Sequence, residues 1–264
     1  MLFMSKTAER PLLHTGVPGL DEILLGGLRK GQTFLVEGKS GTGKTTLGLQ
    51  FVMEGKRRGE NCLYVTLSES KAELLQMAES RGWSLDGITV AEFVPEEANL
   101  SDEERYTVFH PGEVELASTI KKLLTEIARA DPQRLVIDSL SEFRLLAQDQ
   151  IRYRRQLLAL KQYFAGRKTT LLLLDYHTPM SDDQQVLSIV HGVIRFSTVQ
   201  RSYGVVRRQV EIVKMRSAAF REGFHDSGMI LLASPGQYFL FSLLRRQHLA
   251  IRTGDQLLIG IRHG

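Results

Sequence analysis

Cysteine is nearly absent from the 264 residues: Cys62 stands alone. A lone thiol excludes an internal disulfide and any cysteine-based metal cluster. No run of about 18 apolar residues occurs, so no membrane-spanning helix is expected. The first six residues are too short for a secretory signal and lack its cleavage pattern, which makes the cytoplasm the expected compartment. His110 has no second histidine, cysteine or carboxylate at ligand spacing, so no metal role is expected for it. Charge of one sign is not in large excess: 34 Lys and Arg against 30 Asp and Glu give a net charge of +4 and a pI near 9.2. That balance is too weak to argue for nucleic acid. A helix-turn-helix pattern is missing, and so is a basic–aromatic loop of the kind that stacks on bases. The apolar share of 42% and charged share of 24% are ordinary for a globular protein. The length suits one large α/β domain.

What is present begins at residues 38–45. Gly38, Gly43, Lys44 and Thr45 satisfy G-x-x-x-x-G-K-[ST], the phosphate-binding loop. Residues 33–37 read as a short buried strand. Residues 46–54 read as a helix, with Leu47, Phe51 and Met53 toward the core. Glycines let successive N–H groups turn inward on a polyphosphate, and the helix start adds partial positive charge. Ser40, Gly41, Thr42, Gly43, Lys44, Thr45 and Thr46 are thus the candidate nucleotide-binding residues. Lys44 would serve the β- and γ-phosphates, and Thr45 would complete the shell of Mg2+. A glycine-rich turn that happens to contain Lys-Thr is the bland alternative, and the correct flanks weigh against it.

Residues 1–10 read as a tail and 11–264 as one domain. Gly16, Pro18 and Gly19 punctuate a turn; Leu20, Ile23 and Leu24 suit a short helix that Gly26 and Gly27 stop. Residues 61–67 form a second, continuously apolar strand, as parallel sheets demand. Ser70 is a candidate N-cap for a helix over 71–78. Glu69 therefore sits at a strand's carboxyl end, where active groups of open α/β sheets gather. It reads either as the base or water-orienting group for attack on a γ-phosphate, or as a solvated loop carboxylate.

Residues 88–94 predict a third strand and 95–111 an acidic excursion with a solvated face. A helix over 114–130 places Leu116, Ile120, Leu123, Leu124 and Ile127 on one side. Residues 134–140 form a strand that runs into Asp138, the Walker B pattern for holding Mg2+. A helix over 153–164 follows, opened by Arg152, Arg154 and Arg155, which either contact phosphates or line a solvated face. Residues 169–175 are a fifth buried strand; beyond it His177 and Thr178 read equally as γ-phosphate sensors or as turn residues. Residues 180–190 predict a loop and short helix. Strands at 193–196, 207–216, 229–232, 237–241 and 247–252, joined by short turns, predict an antiparallel extension of the parallel sheet. Lys214 and Arg216 share one face of such a strand, either as plain surface charge or as cations offered to a neighbouring subunit's nucleotide. The expected fold is α/β, a mostly parallel sheet with helices on both faces.

Residues 15–21, the phosphate loop, and residues 67–70, 136–139 and 213–216 together resemble a KaiC-type ATPase domain of the RecA superfamily, over about 11–235. The resemblance implies a RecA-like core, hexameric rings and ATP held between subunits. Thr45 and Asp138 would hold Mg2+. Lys214 and Arg216 match cations that reach the γ-phosphate of the adjacent subunit in trans. Two departures stand out. The family's clock protein has two adjacent glutamates after the second strand, and here the pair is Ser68 and Glu69. No second phosphate loop follows, so a single domain is expected and no clock role carries over. The family's autophosphorylated pair falls near residues 187–189 with a poor match, so self-kinase activity is not expected.

Three functions compete on these grounds. The first is a Mg2+-dependent ATPase that oligomerises through its nucleotide site and acts in signalling or regulation. The second is a nucleotide-gated scaffold with little hydrolysis, which the missing carboxylate favours. The third, a recombinase-like DNA-binding ATPase, lacks the sequence features it needs.

Overall fold

The computed structural model describes residues 11–93, 111–147, 149–176, 184–199, 206–216, 218–229, 241–244, 249–253 and 256–260. The chain opens with β1 (Leu12–Leu13), α1 (Pro18–Ile23) and β2 (Leu28–Arg29). It continues through β3 (Thr33–Gly38), α2 (Lys44–Arg57), β4 (Cys62–Thr66), α3 (Lys71–Glu79) and β5 (Thr89–Glu92). Next come α4 (Pro111–Ala130), β6 (Arg134–Asp138), α5 (Leu140–Ala147), α6 (Gln150–Phe164), β7 (Thr170–Tyr176) and α7 (Gln184–Ile189). The rest is strand: β8 (Gly192–Val199), β9 (Arg207–Met215), β10 (Phe224–Met229), β11 (Phe241–Leu244), β12 (Leu249–Thr253) and β13 (Gln256–Gly260).

One sheet organises these elements, in the order β11-β10-β9-β8-β3-β7-β6-β4-β5. From β8 to β5 every neighbouring pair is parallel. Alternation along each strand splits the core in two. Phe34, Val36, Tyr64, Val136, Leu172 and Leu174 pack on the side of α1, α2 and α3. Leu35, Leu63, Val65, Leu135, Ile137 and Leu173 pack on the side of α4, α5, α6 and α7. Both faces are covered, which is why these strands carry apolar residues without interruption. Truncating one of these side chains, Leu172→Ala for example, costs about 2–5 kcal/mol.

Local signals hold where they were strong. Ser70 caps α3 in a full capping box with Glu73. Cys62 is buried, and burial pushes its thiol up to about 11. The helix expected from residue 153 starts at Gln150, because Asp149 caps it by accepting a hydrogen bond from Ile151 N at 2.8 Å. Arg154 and Arg155 are exposed on that helix.

Other elements differ from expectation. β8 pairs in parallel with β3, so the antiparallel part starts only at β9. Met229, the first residue of the strand expected at 229–232, ends β10, and residues 230–232 lie outside the described residues. β12 and β13 pair with each other in a separate hairpin rather than extending the sheet. α5 was not foreseen at all. Arg134, expected only as the start of a strand, is fully buried. Its guanidinium donates to Glu60 Oε2 and to the carbonyls of His14 and Phe51. Gly55 gives it room: a Cβ there would stand 2.5 Å from Arg134 Cδ and from Cys62 Sγ. No helix among the described residues is long and apolar enough to cross a membrane. The acidic excursion, His110, His177 and Thr178 lie outside the described residues.

Candidate nucleotide site

The phosphate-loop signature spans the turn from β3 to α2. Gly38 is required by contact: a Cβ there would lie 2.6 Å from Phe196 O and 2.8 Å from Thr42 Oγ1. Gly41 and Gly43 take φ of 74° and 110°, the left-handed region that favours glycine. Thr42 Oγ1 closes the loop by donating to Lys39 O at 2.8 Å. Lys44 Nζ donates to Gly38 O at 2.8 Å and Lys39 O at 3.0 Å. The helical ladder of α2 begins with Leu47 N donating to Gly43 O. The amides of Lys44, Thr45 and Thr46 therefore lie ahead of it, at the positive end of the helix dipole. Ser40 and Gly41 are exposed at the loop's tip.

Asp138 ends β6 beside this loop. Its Oδ2 accepts from Thr45 Oγ1 at 2.9 Å and from Tyr64 OH at 2.7 Å. Burial raises its pKa, against the pull of those two hydroxyls and of the Lys44 charge. Tyr64 titrates well above its ordinary value, from burial and the adjacent carboxylate. Register explains the meeting: Thr66 of β4 pairs with Asp138 of β6. Leu67 N then donates to Asp138 O at 2.7 Å.

Glu69 stands just past that point. Thr66 Oγ1 donates to Glu69 O at 2.6 Å and accepts from Glu69 N at 3.1 Å, which fixes the turn. The carboxylate Oε2 is buried and, among the described residues, has no hydrogen-bond partner. Burial raises its pKa, and the charges of Asp138 and Glu73 add to the effect. Ser68, where the resemblance led one to look for a second carboxylate, is exposed.

Sequence reasoning missed three residues here. Asp175, at the end of β7, is buried and accepts from Ser141 Oγ, Tyr176 N and Arg144 Nη2, each at 2.8 Å. The side chain of Tyr176 lies beneath Lys44, whose Nζ is 5.9 Å from the ring centroid. Arg208 Nε on β9 donates to Gly41 O at 3.3 Å, across 167 residues of chain. Asp175 had a visible signal, a carboxylate closing a buried strand. Arg208 had none, because nothing local marks a contact so distant.

Lys214 and Arg216 do not join this cluster. Lys214 Nζ donates to the carbonyls of Leu187 and Val190, and Arg216 Nη2 donates to Ser188 O at 3.2 Å. They thus gather at the end of α7, where carbonyls lack helical partners. A β-bulge between the pairs Val193–Lys214 and Ile194–Ile212 breaks the alternation of β9. Ile212 packs with the α2 side of the sheet, while Lys214 meets α7 on the other. Val193 pairs with both Lys214 and Leu35, three residues before the loop's Gly38, roughly 10 Å back along the sheet.

Comparison with known proteins agrees with this geometry. The sequence model of the family "ATPase: KaiC" matches residues 13–227. A UPF0273 protein of Thermotoga maritima is 29% identical over 240 residues, covering 85% of this chain and 97% of that protein. A circadian clock oscillator protein KaiC of Parathermosynechococcus lividus is 28% identical over 236 residues, 83% of this chain but 41% of that longer protein. The crystal structure of a KaiC-like protein from Pyrococcus horikoshii superposes with a TM-score of 0.69 at 25% identity, covering 84% of this chain and 96% of that one. A phosphate loop, a carboxylate against its threonine and a RecA-like sheet, matched over most of their length, place the chain in the KaiC ATPase family.

Proposed function

We propose that this protein is a Mg2+-dependent ATPase that assembles through its nucleotide site into a ring, a hexamer by its family resemblance. The reading includes a cytoplasmic role in signalling or regulation. One observation carries the chemistry: Thr45 and Asp138 share a hydrogen bond under the loop, beside the buried, unpartnered oxygen of Glu69. A hydroxyl and a carboxylate are the hard oxygen donors that Mg2+ accepts, the remaining positions going to water and phosphate oxygens. No group of three or more His, Cys, Asp or Glu side chains that could hold a metal exists among the described residues. When bound there, Mg2+ would neutralise charge on the β- and γ-phosphates.

The chain's own residues do the rest. Lys44 exchanges its two loop carbonyls for phosphate oxygens. The amides of Gly43 to Thr46 hold the phosphate chain at the helix start. Glu69 accepts a hydrogen bond from the attacking water and orients it, the raised pKa suiting a group that takes up a proton. Lys214 and Arg216, set back from their own loop, supply positive charge to the γ-phosphate of a neighbouring protomer, where negative charge builds in the transition state.

Lys44→Ala is expected to weaken ATP binding about 10- to 100-fold, as loss of a charge-assisted contact does. Unchanged affinity would overturn the assignment of the loop. The second reading, a nucleotide-gated scaffold, is favoured by Ser68 in place of a carboxylate. It predicts assembly on adding ATP and Mg2+, seen by size measurement, with negligible turnover.

A further inference from the structure

Asp175 is a buried carboxylate that the chemistry above leaves unused. Its strand neighbours carry the site on either side. β3 aligns Glu37 with Asp175 and Gly38 with Tyr176, and β6 aligns Asp138 with Leu174. Its Oδ1 takes the hydroxyl of Ser141 and the amide of Tyr176; its Oδ2 takes the Arg144 guanidinium. Ser141 and Arg144 lie on α5, which begins two residues after Asp138. The carboxylate thus joins the helix that follows the Mg2+ aspartate to the strand end that follows into Tyr176. The Tyr176 side chain is exposed and sits against the Lys44 ammonium. Arg144 is itself held over the ring of Tyr153, its carbon 5.1 Å from the centroid, so α6 braces the pair.

We propose that Asp175 is a positioning residue for ATP hydrolysis: through Ser141 and Arg144 it fixes α5 and the end of β7 so that Asp138 and Tyr176 keep their places around the phosphate loop. This deepens the ATPase reading and rests on it. The carboxylate touches no reacting atom. A buried carboxylate that accepts from three donors, one of them a guanidinium, is a geometric clamp, and a site loosened by about 1 Å loses rate before it loses affinity. Clamp members act as one unit, so their losses do not add.

The test measures kcat, KM and amide hydrogen exchange on the full chain for Asp175→Asn, Arg144→Met and the double variant. Asn keeps an acceptor for Ser141 and the Tyr176 amide but turns an N–H toward Arg144. The expected result is a fall in kcat of about 10-fold or more with KM within about 3-fold, and a double variant no slower than Asp175→Asn. A fall confined to KM, or losses that multiply in the double variant, would overturn the proposal. Exchange gives a readout independent of turnover. Adding ATP and Mg2+ should slow exchange in peptides covering α5 and β7 of the parent, and this slowing should vanish in Asp175→Asn. Slowing that persists in the variant overturns the clamp. A parent that binds ATP, slows exchange and still does not turn over would sink the hydrolytic reading alone. If Asp175→Asn does not fold, Ser141→Ala removes one donor and should show the same split at smaller size.

Discussion

Two ends of the same sheet carry cations, and they are built differently. At the loop end, Lys44 is embedded among groups from β3, β6 and β7, and one chain supplies the hydroxyl, the carboxylates and the helix start. At the far end of β9, among the described residues, Lys214 and Arg216 meet only backbone carbonyls of α7 and its following turn. Burial lowers the Lys214 pKa, and Arg216 and Lys161 push the same way. Positive charge is thus concentrated there, and among the described residues no carboxylate pairs with either cation; in the proposed ring the anionic partner comes from the neighbouring protomer. The loop end is a binding site within one protomer. In the proposed ring, the β9 end would be half of one.

The sharpest test of that difference is to remove each half separately. Replacing both Lys214 and Arg216 by Ala should cut turnover about 1,000-fold, the scale of a missing arginine finger, while ATP affinity changes little. Mixed with the Lys44→Ala chain, which keeps its cations, this variant should recover measurable hydrolysis. No recovery in co-assembled rings would mean that the cations do not act in trans, and the comparison would collapse.

Glu69 decides whether the loop end is more than a binding site. Glu69→Gln keeps the size and removes the proton acceptor. Turnover should drop about 100-fold with ATP affinity retained. A variant as fast as the parent would return Glu69 to a plain loop carboxylate, and the scaffold reading would gain.

Much of this was legible in the sequence, and the exceptions share a cause. The phosphate loop, the strand running into Asp138 and the Ser70 cap are written in neighbouring residues, and the structure has them in place. β8 could not be oriented from its own residues, since its parallel partner β3 lies some 158 residues earlier, the separation of the Glu37–Arg195 ion pair. The bulge near Val213 was invisible for the same reason: alternation alone puts Lys214 on a face shared through the whole strand, and the partner strand moves it. α5 is a different failure. Leu140, Phe143 and Ala147 carry helical spacing and are all buried, but the expected strand runs through to Leu140, and the eight-residue helix just after Asp138 is too short to stand out by its period. Missing α5 hid the partners of Asp175.

A smaller effect bounds the loop end from behind. α2 starts at Lys44 and, three turns later, carries Glu54, whose carboxylate takes Arg57 at 2.7 Å and Arg58 at 2.6 Å. Burial alone would raise this carboxyl, but the two guanidinium groups hold it down at about 2. A carboxyl depressed on folding contributes stability that is fully present above its unfolded value of 4.5 and is lost as pH falls toward 2. Both arginines are substantially exposed, so the contribution is at most about 1 kcal/mol, screened by salt. Glu54→Gln should therefore flatten part of the loss of stability between pH 5 and 2 while leaving ATP affinity at neutral pH unchanged. A loss of ATP affinity in that variant would show that the helix transmits strain from its far end to the loop, and the site could no longer be treated as closed within the groups that touch Lys44 and Thr45.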